Sequence, residues 1–266
     1  LIKEINIRLI YLNRQNGDCW QVTDFPLDNI IKIMMNQNKL LLFDIDGTLI
    51  RGSYGHARSY SLAIKEIYGI EITVDWKSNQ GLTDSHIIKK ILKQKGLKEK
   101  EIQPKLQSCM AKMEVLYKTI VRDYTIIPLA GVKNLLKKLR NDHVHLGLVT
   151  GNLEGIAKLK LKNAGIFDYF KFGGYGSEHE NRSILIELAL SKAKKNLYLT
   201  FNQTNVFYIG DTPKDILAGK TAGIKTIGVA TGIYPSAQLH NAGADLILED
   251  LSNPAALIDF ISSNLY

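Results

Sequence analysis

Four consecutive apolar residues, Leu40-Leu41-Leu42-Phe43, run straight into Asp44, and Asp46-Gly47-Thr48 follows after Ile45. A run this short, with no polar alternation, fits a strand covered on both faces, the habit of parallel sheets. In open α/β sheets ligands bind beyond the carboxyl ends of the strands. Such a strand would carry one carboxylate at its tip and a second in the loop behind it. Together they suit a charged nucleophile, a divalent metal and a proton-transfer group acting on one substrate.

The rest of the chain supplies the partners a parallel sheet needs. Buried strands are expected at 145–149, 169–172, 205–209, 225–229 and 245–248, separated by helical stripes that start near Val132, Leu153 and Arg182, by a short helix that ends at Gly223 and by a closing helix from Pro254. Right-handed crossovers with this many βα units give a doubly wound parallel sheet. Residues 54–124 break the alternation. Three apolar stripes at helical spacing run through Tyr60-Ala63-Ile64-Ile67, Ile87-Ile88-Ile91-Leu92 and Leu106 to Val121, with Gly69 and Gly96 as stops and Thr83 or Asp84 as a cap. They read as an all-helical insertion forming a small domain above the first strand's tip. The expected division is an extension at 1–37, a core of 38–53 and 125–266, and a helical cap at 54–124. In the extension, alternating Ile5, Ile7 and Leu9 with the turn pair Asn16-Gly17 suggest a hairpin from about Ile5 to Val22, followed by a helix from Leu27 to Met35.

Composition narrows the function classes. Hydrophobic residues make up 45% and charged residues 23%, as in soluble globular proteins, and no run approaches the roughly 18 apolar residues of a membrane span. The first residues lack the order of a secretory signal, and two cysteines, Cys19 and Cys109, make neither a disulfide framework nor a metal spacing. A cytoplasmic location is expected. Thirty-four basic against 26 acidic residues leave a charge of +8, but the lysines are spread, as in Lys89, Lys90, Lys93 and Lys95. Solvated helix faces and attraction of an anionic substrate explain this better than nucleic-acid binding.

Three strands end in polar clusters: Asp44/Asp46, Thr150-Gly151-Asn152 and Asp211/Asp215. Neighbouring strands would gather them at one rim. Crowded carboxylates repel unless a cation sits among them, and Mg²⁺, which takes a few carboxylates plus phosphate oxygens and water, answers that need. A threonine hydroxyl with Gly-Asn backbone N–H groups at a helix start makes a phosphate seat.

Here the chain resembles the haloacid dehalogenase superfamily. Asp44-Ile45-Asp46-Gly47-Thr48 matches its D-x-D-G-T signature, Thr150 its second motif, and Gly210-Asp211 with Asp215 its fourth. The helical insertion sits where the phosphoglycolate-phosphatase-like branch carries its cap. The resemblance implies a Rossmann-like core, Asp44 as a nucleophile forming an aspartyl-phosphate, and Asp46 as general acid and then base. It also implies Mg²⁺ held by Asp44, the Asp46 carbonyl and Asp211, with Asp215 beside or among them. Thr150 with the N–H of Gly151 or Asn152 would bind phosphoryl oxygens. The family's third motif, a lysine commonly followed by proline, is missing: the corresponding position reads Asn181-Arg182-Ser183, and Arg182 and Lys160 are both candidates for its charge. In the cap, the Gly81-Leu82-Thr83-Asp84 loop resembles one that faces the active site in related enzymes. His56 and Arg58 follow the first linker, where contact with substrate and a surface position are both open. The implied activity is hydrolysis of a small phosphorylated metabolite. A phosphosugar mutase of the β-phosphoglucomutase kind and a non-catalytic anion-binding protein are the alternatives.

Overall fold

The computed structural model describes residues 12–14, 20–22, 38–52 and 55–263. Two short antiparallel strands lie in the extension, β1 (Leu12–Arg14) and β2 (Trp20–Val22), with Asn13 opposite Gln21. They match the end of the expected hairpin. Its beginning and the helix expected over Leu27–Met35 lie outside the described residues.

The centre is a six-stranded, all-parallel sheet in the order β10-β9-β8-β3-β6-β7. Its strands are β3 (Leu40–Phe43), β6 (His145–Thr150), β7 (Gly173–Tyr175), β8 (Val206–Gly210), β9 (Lys225–Val229) and β10 (Leu246–Leu248). β3 is central, and none of its four residues reaches solvent. Leu41 and Phe43 pack into the apolar cluster on one face, Leu40 and Leu42 into that on the other. Burial of this completeness stabilises the fold by about 1.5–3 kcal/mol per large side chain. It also explains why the strand lacks polar alternation.

Helices cover both faces. α5 (Val132–Asn141), α6 (Glu154–Asn163) and α10 (Ala255–Ser263) contribute Leu135, Leu161 and Leu257 to the first cluster. α7 (Arg182–Leu197) and α8 (Pro213–Thr221) contribute Leu185, Ala189 and Ala218 to the second. A short α9 (Ser236–Asn241), not foreseen, precedes β10. β7 is displaced from the expected 169–172: Phe167–Tyr169 forms a 3₁₀ turn and the strand begins at Gly173. The reason is steric, because a Cβ on Gly174 would collide with the Leu185 carbonyl. The strand needs glycine to approach α7, and glycine reads as a strand breaker in sequence.

Between β3 and β6 lies the helical cap: α1 (Gly55–Tyr68), α2 (Trp76–Asn79), α3 (Asp84–Gln94) and α4 (Glu99–Ile120). α2 was not foreseen. The stripes through Tyr60, Ile88 and Met113 form the cap's own core, which is continuous with the apolar cluster on one face of the sheet. The chain enters and leaves the cap through a two-stranded antiparallel ribbon, β4 (Ile50–Arg51) with β5 (Ile127–Pro128). Among the described residues, no helix is long and apolar enough to cross a membrane.

Candidate active site

The ladder brings the polar clusters into register. Phe43 lies opposite Leu148 in β6 and Ile209 in β8, so Asp44, Thr150 and Asp211 all emerge just past the same line. The Asp44 N–H donates to the Ile209 carbonyl at 2.9 Å and ties the strand tips together. Above them, between sheet and cap, is a cavity of about 470 Å³. Asp44, Asp46, Thr150, Gly151, Asn152, Arg182 and Asp211 line its floor, while His56, Trp76, Asn79, Gly81 and Asp84 line its cap side.

On the β8 side, Asp44, Asp211 and Asp215 are buried and each offers a carboxylate oxygen within 4.8 Å of the others. Asp44 is pushed up to about 7, chiefly by burial, with Asp215 and Asp46 adding to the rise against the pull of Arg182. Asp211 is raised well above the carboxylate range by burial and by Asp215 and Asp44, although Thr48 Oγ1 donates to it at 3.2 Å. Asp215 differs. One of its oxygens accepts from Arg182 and from Tyr208 Oη at 2.7 Å; the other accepts from the Thr212 N–H at 3.0 Å and hydroxyl at 2.7 Å. Arg182 in turn donates to Tyr208 Oη at 2.8 Å and approaches Asp44 Oδ1 at 3.3 Å. Its buried Nε has no partner among the described residues.

On the α6 side, Asp46 meets a different environment. Lys160, fully buried, donates from Nζ to Asp46 Oδ2 at 2.7 Å, and Asn152 Nδ2 donates to the same oxygen at 2.8 Å. Burial would raise this carboxyl, but the Lys160 charge and the hydrogen bonds from Lys160 and Asn152 outweigh it and hold Asp46 at about 2. Asp46 Oδ1 is buried with no hydrogen-bond partner among the described residues. Lys160 also donates to Asn152 Oδ1 at 2.7 Å and meets His56 Nδ1 at 3.2 Å. Thr150 Oγ1 accepts from Asn152 Nδ2 at 2.7 Å.

Arg182 and Lys160, alternatives for one role in the sequence, are therefore both present, on opposite sides: Arg182 against Asp44 and Asp215, Lys160 against Asp46. Gly81 lines the cavity at φ +70°, and a Cβ there would lie 2.8 Å from Thr212 Oγ1, so close approach of cap to core requires glycine. Thr83 is buried beneath the cap and caps α3, its Oγ1 accepting from the His86 N–H at 3.4 Å. Arg58 is exposed and does not line the cavity, whereas His56 is buried and does. Sequence reasoning missed Tyr208, which reads as ordinary strand core, and Trp76, whose four-residue helix has no period to detect.

Known proteins supply an independent comparison. The family profile described as haloacid dehalogenase-like hydrolase matches residues 41–229. A pyrophosphatase PpaX from Listeria monocytogenes is 26% identical over 221 residues, spanning 82% of this chain and 95% of that protein. A phosphoglycolate phosphatase from Pseudomonas fluorescens is 24% identical over 223 residues, spanning 80% and 77%. The crystal structure of a hydrolase from Pseudomonas syringae superposes with a TM-score of 0.64 at 20% identity, covering 84% of this chain and 98% of the other.

Proposed function

The chain belongs to the haloacid dehalogenase-like hydrolases, and on that premise we propose that it is a Mg²⁺-dependent phosphatase acting on a small phosphate monoester. The observation that carries this reading is the pairing of Asp44 and Asp46 at the floor of one cavity with Thr150, Arg182 and Asp211. Asp44 attacks phosphorus, the bond to the leaving oxygen breaks, and Asp46 supplies that oxygen with its proton. In the second half, Asp46 removes a proton from water as the water attacks the aspartyl-phosphate and frees Asp44. Asp46 takes up the proton it donates alongside the incoming phosphate dianion, whose charge opposes ionisation nearby.

The donor set fits a hard divalent cation: oxygen ligands only, buried, and raised in pKa by burial first and by mutual repulsion second. Asp44, Asp211 and the backbone carbonyl of Asp46 would hold Mg²⁺. When bound, it neutralises the repulsion between the attacking carboxylate and the phosphate. Asp215, both oxygens of which are already doubly hydrogen-bonded, adds charge and anchors Arg182. Arg182 steadies Asp44, while Thr150 and the N–H groups of Gly151 and Asn152 receive phosphoryl oxygens. Residues 54–124 act as the cap that selects the leaving group.

Release of phosphate from para-nitrophenyl phosphate with Mg²⁺ tests the reading, followed by a panel of phosphorylated metabolites that includes pyrophosphate and phosphoglycolate, the compounds named for the relatives. Turnover that survives Asp44→Asn would overturn Asp44 as the nucleophile.

A further inference from the structure

We propose that two cap residues, His56 and Asp84, position Asp46 for proton transfer by acting through Lys160. This rests on the reading of Asp46 as the acid and base. The geometry is a continuous buried chain. The Lys160 ammonium has three N–H groups and three acceptors around it: Asp46 Oδ2 at 2.7 Å, Asn152 Oδ1 at 2.7 Å and His56 Nδ1 at 3.2 Å. Lysine offers donors only. His56 Nδ1 is therefore an acceptor, and the ring proton sits on Nε2, which donates to Asp84 Oδ2 at 3.2 Å. Asp84 is anchored in turn by Tyr60 Oη at 2.5 Å on its other oxygen and by the Leu153 N–H of the core at 2.8 Å.

Each link has one polarity, so the order of donors from Lys160 outward is fixed. The consequence falls on Asp46. Lys160 and Asn152 both take Oδ2, which leaves Oδ1 buried and without a partner among the described residues. The carboxylate is thus held in one orientation through Oδ2. Remove His56 and the ammonium loses one of its three restraints; remove Asp84 and His56 loses the acceptor that holds its ring in place. The ammonium can then swing away from Oδ2, and a misplacement near 1 Å costs up to about 100-fold in a step that depends on alignment. The acid is in register only while α1 and α3 of the cap are docked on α6 of the core.

The readout is the dependence on leaving group. A series of substituted phenyl phosphates, from para-nitrophenyl to phenyl, runs from leaving groups that depart unaided to ones that need a proton. In His56→Ala and in Asp84→Ala, the para-nitrophenyl to phenyl ratio of kcat/KM, which reports only the steps through departure of the leaving group, is expected to rise about tenfold over wild type. It rises at least as far in Asp46→Asn, and His56→Ala with Asp84→Ala together adds nothing to either alone. Turnover of para-nitrophenyl phosphate reports in the same assay that each variant is folded. If both substrates fall in step in His56→Ala and Asp84→Ala while Asp46→Asn shifts the ratio, the two cap residues only hold structure and the proposal is overturned. Effects that multiply in the double variant overturn it too, because the residues then act separately. If Asp46→Asn leaves the ratio at the wild-type value, the reading of Asp46 has failed first and the proposal goes with it.

Discussion

The two sides of the active-site rim use the same side chain to opposite ends. On the β8 side, three carboxylates share one guanidinium, and Asp44 and Asp211 are driven up in pKa. On the α6 side, a single carboxylate has a buried ammonium of its own, and Asp46 is driven down to about 2. Two positions apart in the chain, these aspartates differ because several carboxylates divide one positive charge on the first side, whereas a single carboxylate has one to itself on the second. Pairs of titratable groups whose surroundings push their pKa values apart are a common sign of divided catalytic labour.

The comparison can be broken most sharply by chemistry. Asp44→Asn should lower kcat by at least about 10⁴-fold, and Asp46→Asn by about 10²–10⁴-fold, since general acid–base help is usually of that size. Steady-state kinetics on one aryl and one alkyl monoester would show it; equal losses on both esters in the second variant would erase the difference between the two sides.

Charge removal should separate them next. Lys160→Met leaves the partly exposed Asp46 carboxylate with Asn152 as its remaining partner and is expected to destabilise the fold by about 1–3 kcal/mol in denaturant melts. A loss below about 1 kcal/mol would mean that Asp46 finds other compensation.

Stability against pH sharpens the contrast further. Asp44 is raised in the fold from 3.8 to about 7, so its contribution is fully present below about 4 and is lost as pH rises through 7. Asp211 shifts the same way. Asp46 is lowered from 3.8 to about 2, so its contribution is present above about 4 and is lost as pH falls toward 2. Without metal, the Asp44 and Asp211 contributions should lower Tm between pH 5 and 8. Because metal ligands bind deprotonated, saturating Mg²⁺ should raise Tm by more at pH 8 than at pH 5. Chelation should abolish turnover, and added Mg²⁺ should restore it. A Mg²⁺ effect on Tm that is flat with pH would contradict the assignment of the β8 side. The smallest effect is expected at Arg58, exposed and off the cavity: Arg58→Ala should leave kcat/KM within about twofold.

How much of this was readable beforehand depended on locality. Asp44, Asp46, Thr150, Asp211 and Asp215 each end a strand or begin the following loop or helix, and apolar runs mark strands well. The order of βα units then placed them at one rim. What stayed hidden was contact between distant segments. Nothing in the sequence says that Lys160, on the helix after β6, reaches Asp46, or that His56 is buried between Lys160 and Asp84. The single missing lysine motif made Arg182 and Lys160 look like rivals, whereas each has its own carboxylate. β7 was misplaced because its glycines serve packing against α7. The β4–β5 ribbon was missed because two residues per strand carry no period.

That ribbon has a consequence of its own. Because the outgoing and returning backbones run side by side, the helices strung between them hang from a single hinge-like seam, and the strand order beneath is indifferent to what is suspended there. An exchange of the overhanging module at that seam would leave the order of the six strands beneath it untouched.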